Sequence, residues 1–247
     1  DDYENKWFKK DISFLDKLIA RKKVLIGILM HTANEVYYEG LPPTPPEFEK
    51  EKDDTIEENF KFKNFIYTSS CAIYGNQNVL PITEKNYPNP PSMYAAQKLY
   101  SENMVHLHLS HVGIPSTCLR LFNTYGIGQS QRGKYPNVLA SLIKTYKEKN
   151  YVEITGDGTQ TRDFVQVEDV VDALMDIDNG NHIFNVCSGR EVSLNHLASI
   201  ITDDIRYIPE RKFDIYKQVA SYDKINKHLG WQPTKNLEDE VIKVVGA

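Results

Sequence analysis

Residues Asn64 to Gly75 read NFIYTSSCAIYG, and Tyr94 to Lys98 read YAAQK. The first stretch is a short apolar run that passes straight into small hydroxyl residues. Continuous apolar runs of this length mark strands buried on both faces, as in a parallel sheet. The second stretch opens a helical pattern that continues to Val112. Between them lie Pro81, Pro88, Pro90 and Pro91, which make that connection a loop. A strand, a loop and a helix in this order are one half of an α/β unit.

The pattern repeats outward from this unit. Ser116 to Leu121 and His182 to Val186 read as further strands. Val165 to Met175, Leu194 to Ile201 and Asp223 to Leu229 read as helices, the last stopped by Gly230. Leu142 to Lys149 reads as an amphipathic surface helix. Upstream, Val24 to Leu29 (VLIGIL) reads as another buried strand. The segment from Leu41 to Asp54, LPPTPPEFEKEKDD, carries four prolines and a charge run and reads as a solvated loop. This alternation implies α/β layers around a mostly parallel sheet, with ligands bound beyond the carboxyl ends of the strands.

In such a sheet Ser70 lies at a strand's carboxyl end. Tyr94 and Lys98, four apart on a helix, share one face. An ammonium beside a phenol favours the phenolate, so this pairing predicts a Tyr94 pKa below its free value of about 10. A phenol tuned in that way is a competent general base for a hydroxyl proton. Taken singly, Tyr94 and Lys98 also fit an ordinary pair on an exposed helix start, and Ser70 fits a turn or cap serine.

Bulk properties narrow the field. The chain has 247 residues, 40% hydrophobic and 26% charged, with a formal net charge of -5. No basic stripe supports a nucleic-acid partner. The three cysteines, Cys71, Cys118 and Cys187, match no zinc or redox spacing and fit a reducing compartment. No signal peptide and no apolar run of membrane-spanning length is visible, which places the protein in the cytoplasm by default and off the membrane. His106, His108 and His111 lack an acidic partner at metal-site spacing, so no metal is expected.

The strand, the serine and the YAAQK helix resemble the extended short-chain dehydrogenase/reductases that act on sugar nucleotides, of the UDP-galactose 4-epimerase type. Further stretches match in order. They are Arg120 to Gly126 (RLFNTYG), Gly156 to Phe164 (GDGTQTRDF), Asn185 to Gly189 (NVCSG), Val192 to Leu194 and Leu229 to Pro233 (LGWQP). The match runs from about Asn64 to the C-terminus.

The resemblance implies a Rossmann-like parallel sheet over residues 1–125 with a smaller substrate lobe over residues 126–247, some of whose segments return to the sheet. It implies NAD as cofactor and a nucleotide-diphosphate sugar, UDP-linked, as substrate. Tyr94 would be the base, Lys98 the residue that binds the nicotinamide ribose, and Ser70 a proton-handling partner. Asn123, Asn137, Val138 and Arg162 would meet the nucleotide sugar, together with Arg211 and Asp214. Two arginines suit a diphosphate because a guanidinium fork pairs with its oxygens. Asp11 and Ile12 resemble the pair beside adenine, and Ala33 ends the turn beside the pyrophosphate.

Related dehydratases carry an Asp-Glu pair after the serine. Here Cys71 and Ala72 stand there, which argues against water elimination and for epimerisation at C4 through a 4-keto intermediate. Family members pair as homodimers through helices that include the catalytic one. The N-terminal part departs from the pattern: it has no glycine-rich dinucleotide turn, only Gly27 and Gly40 preceding Gly75. This predicts an N-terminal part of the sheet that is partial or diverged. Two alternatives stay open: a sugar-nucleotide reductase, and a degenerate protein that binds a sugar nucleotide without turning it over.

Overall fold

The computed structural model describes residues 64–129, 137–210 and 215–247. Three parallel strands form the central sheet: β1 (Phe65–Ser70), β2 (Ser116–Leu121) and β7 (His182–Val186), in the order β1-β2-β7. β2 lies in the middle and is buried along nearly its whole length. Covered on both faces, it has no solvent side to alternate toward, and its polar Ser116, Thr117 and Arg120 are buried as well. α1 (Met93–His111) packs on β1 and β2. It starts where Ser92 accepts a hydrogen bond from the Ala95 amide at 3.2 Å.

Smaller strand pairs flank this sheet. β3 (Asn123–Tyr125) pairs in parallel with β6 (Phe164–Gln166). β4 (Val152–Thr155) pairs in parallel with β9 (Ile205–Ile208). β5 (Thr161–Arg162) runs antiparallel to β8 (Val192–Ser193). The helices α2 (Val138–Lys149), α3 (Val167–Asp176), α4 (Leu194–Ser199), α5 (Asp223–Leu229) and α6 (Leu237–Gly246) cover these strands. Among the described residues no helix is long and apolar enough to cross a membrane.

Three apolar clusters hold the layers together. One, built on Leu119, Phe184, Val186, Ile225 and Trp231, joins the central sheet to α3 and α5. A second, with Leu139, Ile143, Ile154, Leu197 and Val241, joins α2, β4, α4 and α6. The third, with Ile73, Tyr74, Ile82, Phe122 and Cys187, lies beneath the carboxyl ends of β1 and β2. Each fully buried aliphatic side chain of this kind contributes roughly 1.5–3 kcal/mol. The LGWQP stretch folds back on α3. Trp231 Nε1 donates to the Asp169 carbonyl at 2.9 Å, and the Asp169 carboxylate accepts from Thr234 and Lys235.

The structure shifts several boundaries. The helix expected from Val165 begins at Val167, because Phe164–Gln166 pairs with β3 and Gln166 then caps the helix by accepting from the Glu168 amide. The helix expected over Leu142–Lys149 starts at Val138, with Leu139, Ala140, Leu142 and Ile143 buried. It is a core helix with one wet face rather than a surface element.

A tight turn follows β1. Cys71–Tyr74 forms one turn of 3-10 helix, and Gly75 leaves it at φ 59° and ψ -150°. A β-carbon at Gly75 would sit 2.2 Å from the Asn89 carbonyl oxygen, which is backbone and held in place because the Asn89 amide donates to Ile73 at 2.9 Å. Gly75→Ala is expected to destabilise the fold by at least about 1–3 kcal/mol from conformation alone. Urea unfolding of the variant checks this, and an unchanged midpoint would remove the turn from the account.

Candidate active site

Ser70 is the last residue of β1 and also caps the 3-10 turn, its hydroxyl accepting from the Ala72 amide at 3.2 Å. The turn redirects the chain, so the hydroxyl stays at the sheet's carboxyl edge. Tyr94 and Lys98 come from the first turns of α1, which crosses that edge. The helical spacing sets Lys98 Nζ 5.9 Å from the centre of the Tyr94 ring and 5.1 Å from the Tyr67 ring. Lys98 donates to the Thr68 carbonyl of β1 at 2.9 Å. The Ser70 hydroxyl lies close enough to the Tyr94 phenol to favour its ionised form. Ser70, Tyr94 and Lys98 therefore meet as their spacing predicts.

The electrostatics differ from expectation. Burial raises the Tyr94 pKa above its ordinary value, the Ser70 hydroxyl opposes this, and Lys98 is not among the groups that set it. The reason is geometric: the ammonium is tethered to the Thr68 carbonyl instead of the phenol oxygen. Lys98 itself is shifted down by burial, with Glu102 pulling it back up. Tyr94, 43% exposed, is thus a neutral phenol at pH 7 in this state, open to a ligand and able to hold or give a proton. The expected low pKa requires positive charge that the described residues do not place beside it.

The candidate substrate contacts occupy the next layer. Asn123 Nδ2 donates to the Asp163 carbonyl at 2.8 Å and to Gln218 Oε1 at 3.0 Å. Asn137 caps α2: its Oδ1 accepts from Ala140 at 2.9 Å, and its Nδ2 donates to the Thr124 carbonyl at 3.1 Å. That ties the amino end of α2, where Val138 begins the helix, to β3. An amino helix end favours an anion. Arg162 Nη1 donates to the Thr161 carbonyl at 2.8 Å and to the Ile215 carbonyl. Its charge also reaches Cys71, whose thiol burial pushes up to about 12. The positions of Asp11, Ile12, Ala33, Arg211 and Asp214 lie outside the described residues, as do the Val24–Leu29 strand and the Leu41–Asp54 loop.

Two buried groups escape a reading of local pattern. Asp163 accepts from the Ser188 amide and hydroxyl and from the Gly189 and Ala220 amides, at 2.7 to 3.2 Å. Burial pushes its carboxyl up to about 6 while these donors pull it down. It joins three separate segments under the Asn123 contact. Glu102, on α1 one turn after Lys98, takes a bidentate pair from Arg120 of β2 at 2.8 and 3.0 Å. Arg120 Nη1 donates to the Tyr74 hydroxyl at 2.8 Å, which donates to Asn185 Oδ1 at 2.7 Å. This buried chain fixes α1 against the sheet. The one available signal was the i,i+4 step from Lys98 to Glu102.

The model of the NAD dependent epimerase/dehydratase family matches residues 53–187. The UDP-glucose 4-epimerase of Mycolicibacterium smegmatis is 30% identical over 193 residues, 74% of this chain and 61% of that protein. Among solved structures, the UDP-glucose 4-epimerase of Thermotoga maritima with UDP-glucose is 34% identical at a TM-score of 0.71, covering 78% of this chain and 65% of that one. The UDP-glucuronic acid 4-epimerase of Bacillus cereus, in complex with UDP-glucuronic acid and NAD, is 25% identical at a TM-score of 0.67. It covers 76% of this chain and 63% of that one. The chain spans about 60% of the length of the curated relatives it matches.

Proposed function

Because the chain belongs to the NAD dependent epimerase/dehydratase family, we propose that it interconverts the C4 epimers of a UDP-linked sugar, with NAD as cofactor. The observation that carries this reading is the meeting of Ser70, Tyr94 and Lys98 at the carboxyl edge of the sheet. Lys98 spends one hydrogen bond on Thr68 and, as an ammonium with three donors, has more to offer a ligand's hydroxyls. That suits a ribose beside Tyr94. NAD, when bound, supplies reversible hydride acceptance.

The chain's own residues handle the proton. As the phenolate, which a positively charged ligand beside the ring would favour, Tyr94 would take the C4 hydroxyl proton as the hydride leaves C4, and as the phenol it would return that proton when the ketone is reduced. Ser70, whose hydroxyl lies near the phenol, steadies the same proton. Asn123, Asn137, Val138 and Arg162 hold the nucleotide diphosphate while the 4-keto sugar turns over, with Arg211 and Asp214 completing that set. Asp11, Ile12 and Ala33 are assigned to the dinucleotide. The substrate lobe is built mainly from residues 126–247. Cys71 and Ala72 support epimerisation over dehydration, since a thiol with a pKa of about 12 is no substitute for a carboxylic acid.

The protein works as a homodimer in the cytoplasm. Tyr100, Met104 and Leu107 support the first point: they recur at helical spacing on the outer face of α1 and are 65%, 43% and 56% exposed. The free, buried Cys71, Cys118 and Cys187 fit a reducing compartment.

The test begins by denaturing the purified protein and assaying the released NAD. The native protein is then incubated with UDP-glucose and with UDP-N-acetylglucosamine, and the products are read by NMR. Light scattering on the same sample reads the dimer mass. Released NAD with a C4-epimer product is the expected result. Binding of the UDP-sugar without cofactor or turnover would instead favour a degenerate binding protein.

A further inference from the structure

A second cluster sits at the other end of the sheet. Asp178 closes the segment after α3, His182 is the first residue of β7, and His228 lies in the last turn of α5. Asp178 Oδ1 is 3.1 Å from His182 Nε2, and Asp178 Oδ2 is 3.0 Å from His228 Nε2. The three ligand atoms lie within 4.8 Å of one another, and the imidazole centres are 4.2 Å apart. His182 is in register with Thr117 at the start of β2, whereas Ser70 is in register with Leu121 at its end. Four residues of strand, about 13 Å, therefore separate the cluster from the Tyr94 centre.

We propose that Asp178, His182 and His228 form a binding site for a divalent transition ion of the zinc class. Two imidazoles and a carboxylate are the donor set that late first-row divalent ions favour. Two donors each about 2.1 Å from one ion are about 3.0 Å apart at a right angle and about 3.4 Å apart at a tetrahedral angle. The two observed nitrogen-to-oxygen separations fall at the short end of that range, so small side-chain adjustments suffice.

Two further observations show that the backbone is arranged around these side chains. A β-carbon on Gly180 would lie 1.9 Å from His182 Nε2, so glycine there leaves the imidazole its place. The ligand-bearing loop is also tied to the sheet's lower edge. Asn64 donates to the Asp178 carbonyl at 2.5 Å, Thr117 to the Gly180 carbonyl at 3.0 Å, and the Ser116 amide to Asn181 at 2.8 Å. Stacking on Phe184, with ring centres 5.1 Å apart, fixes the plane of His182.

The Lys224 ammonium opposes a cation electrostatically but is held at the Ile183 carbonyl at 2.8 Å. A bound ion would clip the end of α5 to the start of β7. Without one, the same atoms form a histidine–aspartate–histidine hydrogen-bonded chain, which is the rival reading.

Calorimetric titration of the chelator-stripped full-length protein with zinc chloride separates the two. The expected result is one zinc bound per chain and a melting temperature raised by about 5–10 °C when zinc is a hundredfold above its dissociation constant. Both effects should vanish in His228→Gln, whose stripped form should melt near the stripped wild type because that side chain is exposed. They should persist when His106, His108 and His111, all exposed on α1, are replaced by glutamine. X-ray absorption of the zinc-loaded wild type should show two imidazole nitrogens with oxygen completing the shell. That readout does not depend on any variant folding. Absence of binding in the wild type, binding that survives in His228→Gln, loss in the α1 triple variant, or a thiolate or all-oxygen shell would each overturn the site.

Discussion

Tyr94→Phe is expected to lower the rate of C4 epimerisation by about 10²–10⁴-fold, the usual contribution of a positioned proton-transfer group. The ring stays and only the phenol oxygen goes, so its contact with Lys98 is retained. The side chain is 43% exposed, so the melting temperature should stay near wild type. Loss of rate with KM nearly unchanged is the signature of an interaction made in the chemical step rather than in binding. Steady-state kinetics on the purified variant read both constants. A large rise in KM at unchanged kcat would assign Tyr94 to binding instead.

Glu102→Leu is expected to destabilise the fold by about 3–5 kcal/mol, because it leaves the Arg120 guanidinium buried without its carboxylate. The pair is 5% and 3% exposed, so water cannot replace the missing partner. The double change Glu102→Leu with Arg120→Met should recover most of that loss, since well-packed apolar groups often match a buried ion pair. The Tyr74 hydroxyl still donates to Asn185 in the double variant, so no buried donor is stranded there. Denaturant unfolding of the two singles and the double closes the cycle. A double variant as unstable as the sum of the singles would mean that the two residues act independently.

The readable parts of the sequence are those whose signal is local. β2 and β7 have the expected bounds, since each is a short β-favouring stretch set apart from the neighbouring helical pattern, even though Ser116, Thr117 and Arg120 in β2 and His182 and Asn185 in β7 interrupt the apolar residues. α5 ends at Gly230 as expected, since Gly230 takes the left-handed conformation that stops a helix. The helix expected from Val165 starts two residues later, at Val167, because FVQVEDVV satisfies both a strand alternation and a helical stripe. Pairing of Phe164–Gln166 with β3, about 40 residues away in sequence, decides it.

The site divides in the same way. Tyr94 and Lys98 share a helix, and Ser70 ends a strand, so their meeting follows from spacing. The grip of Asp163 on Ser188, Gly189 and Ala220 does not, because its partners are 25 to 57 residues away. Neither does the pairing of Glu102 with Arg120 or of His182 with His228, whose partners come from different elements. The expectation about the Tyr94 pKa failed for a related reason. Helical spacing brings Lys98 near the ring, but a carbonyl on another element captures its ammonium.

The most direct measurement is incubation of the protein with UDP-glucose deuterated at C4, followed by NMR of the products. The account predicts UDP-galactose with the deuterium retained at C4, since the hydrogen leaves and returns within one site while Tyr94 moves only the hydroxyl proton. Product in which the deuterium has been replaced by solvent hydrogen, or no product alongside tight binding of the UDP-sugar, would contradict it.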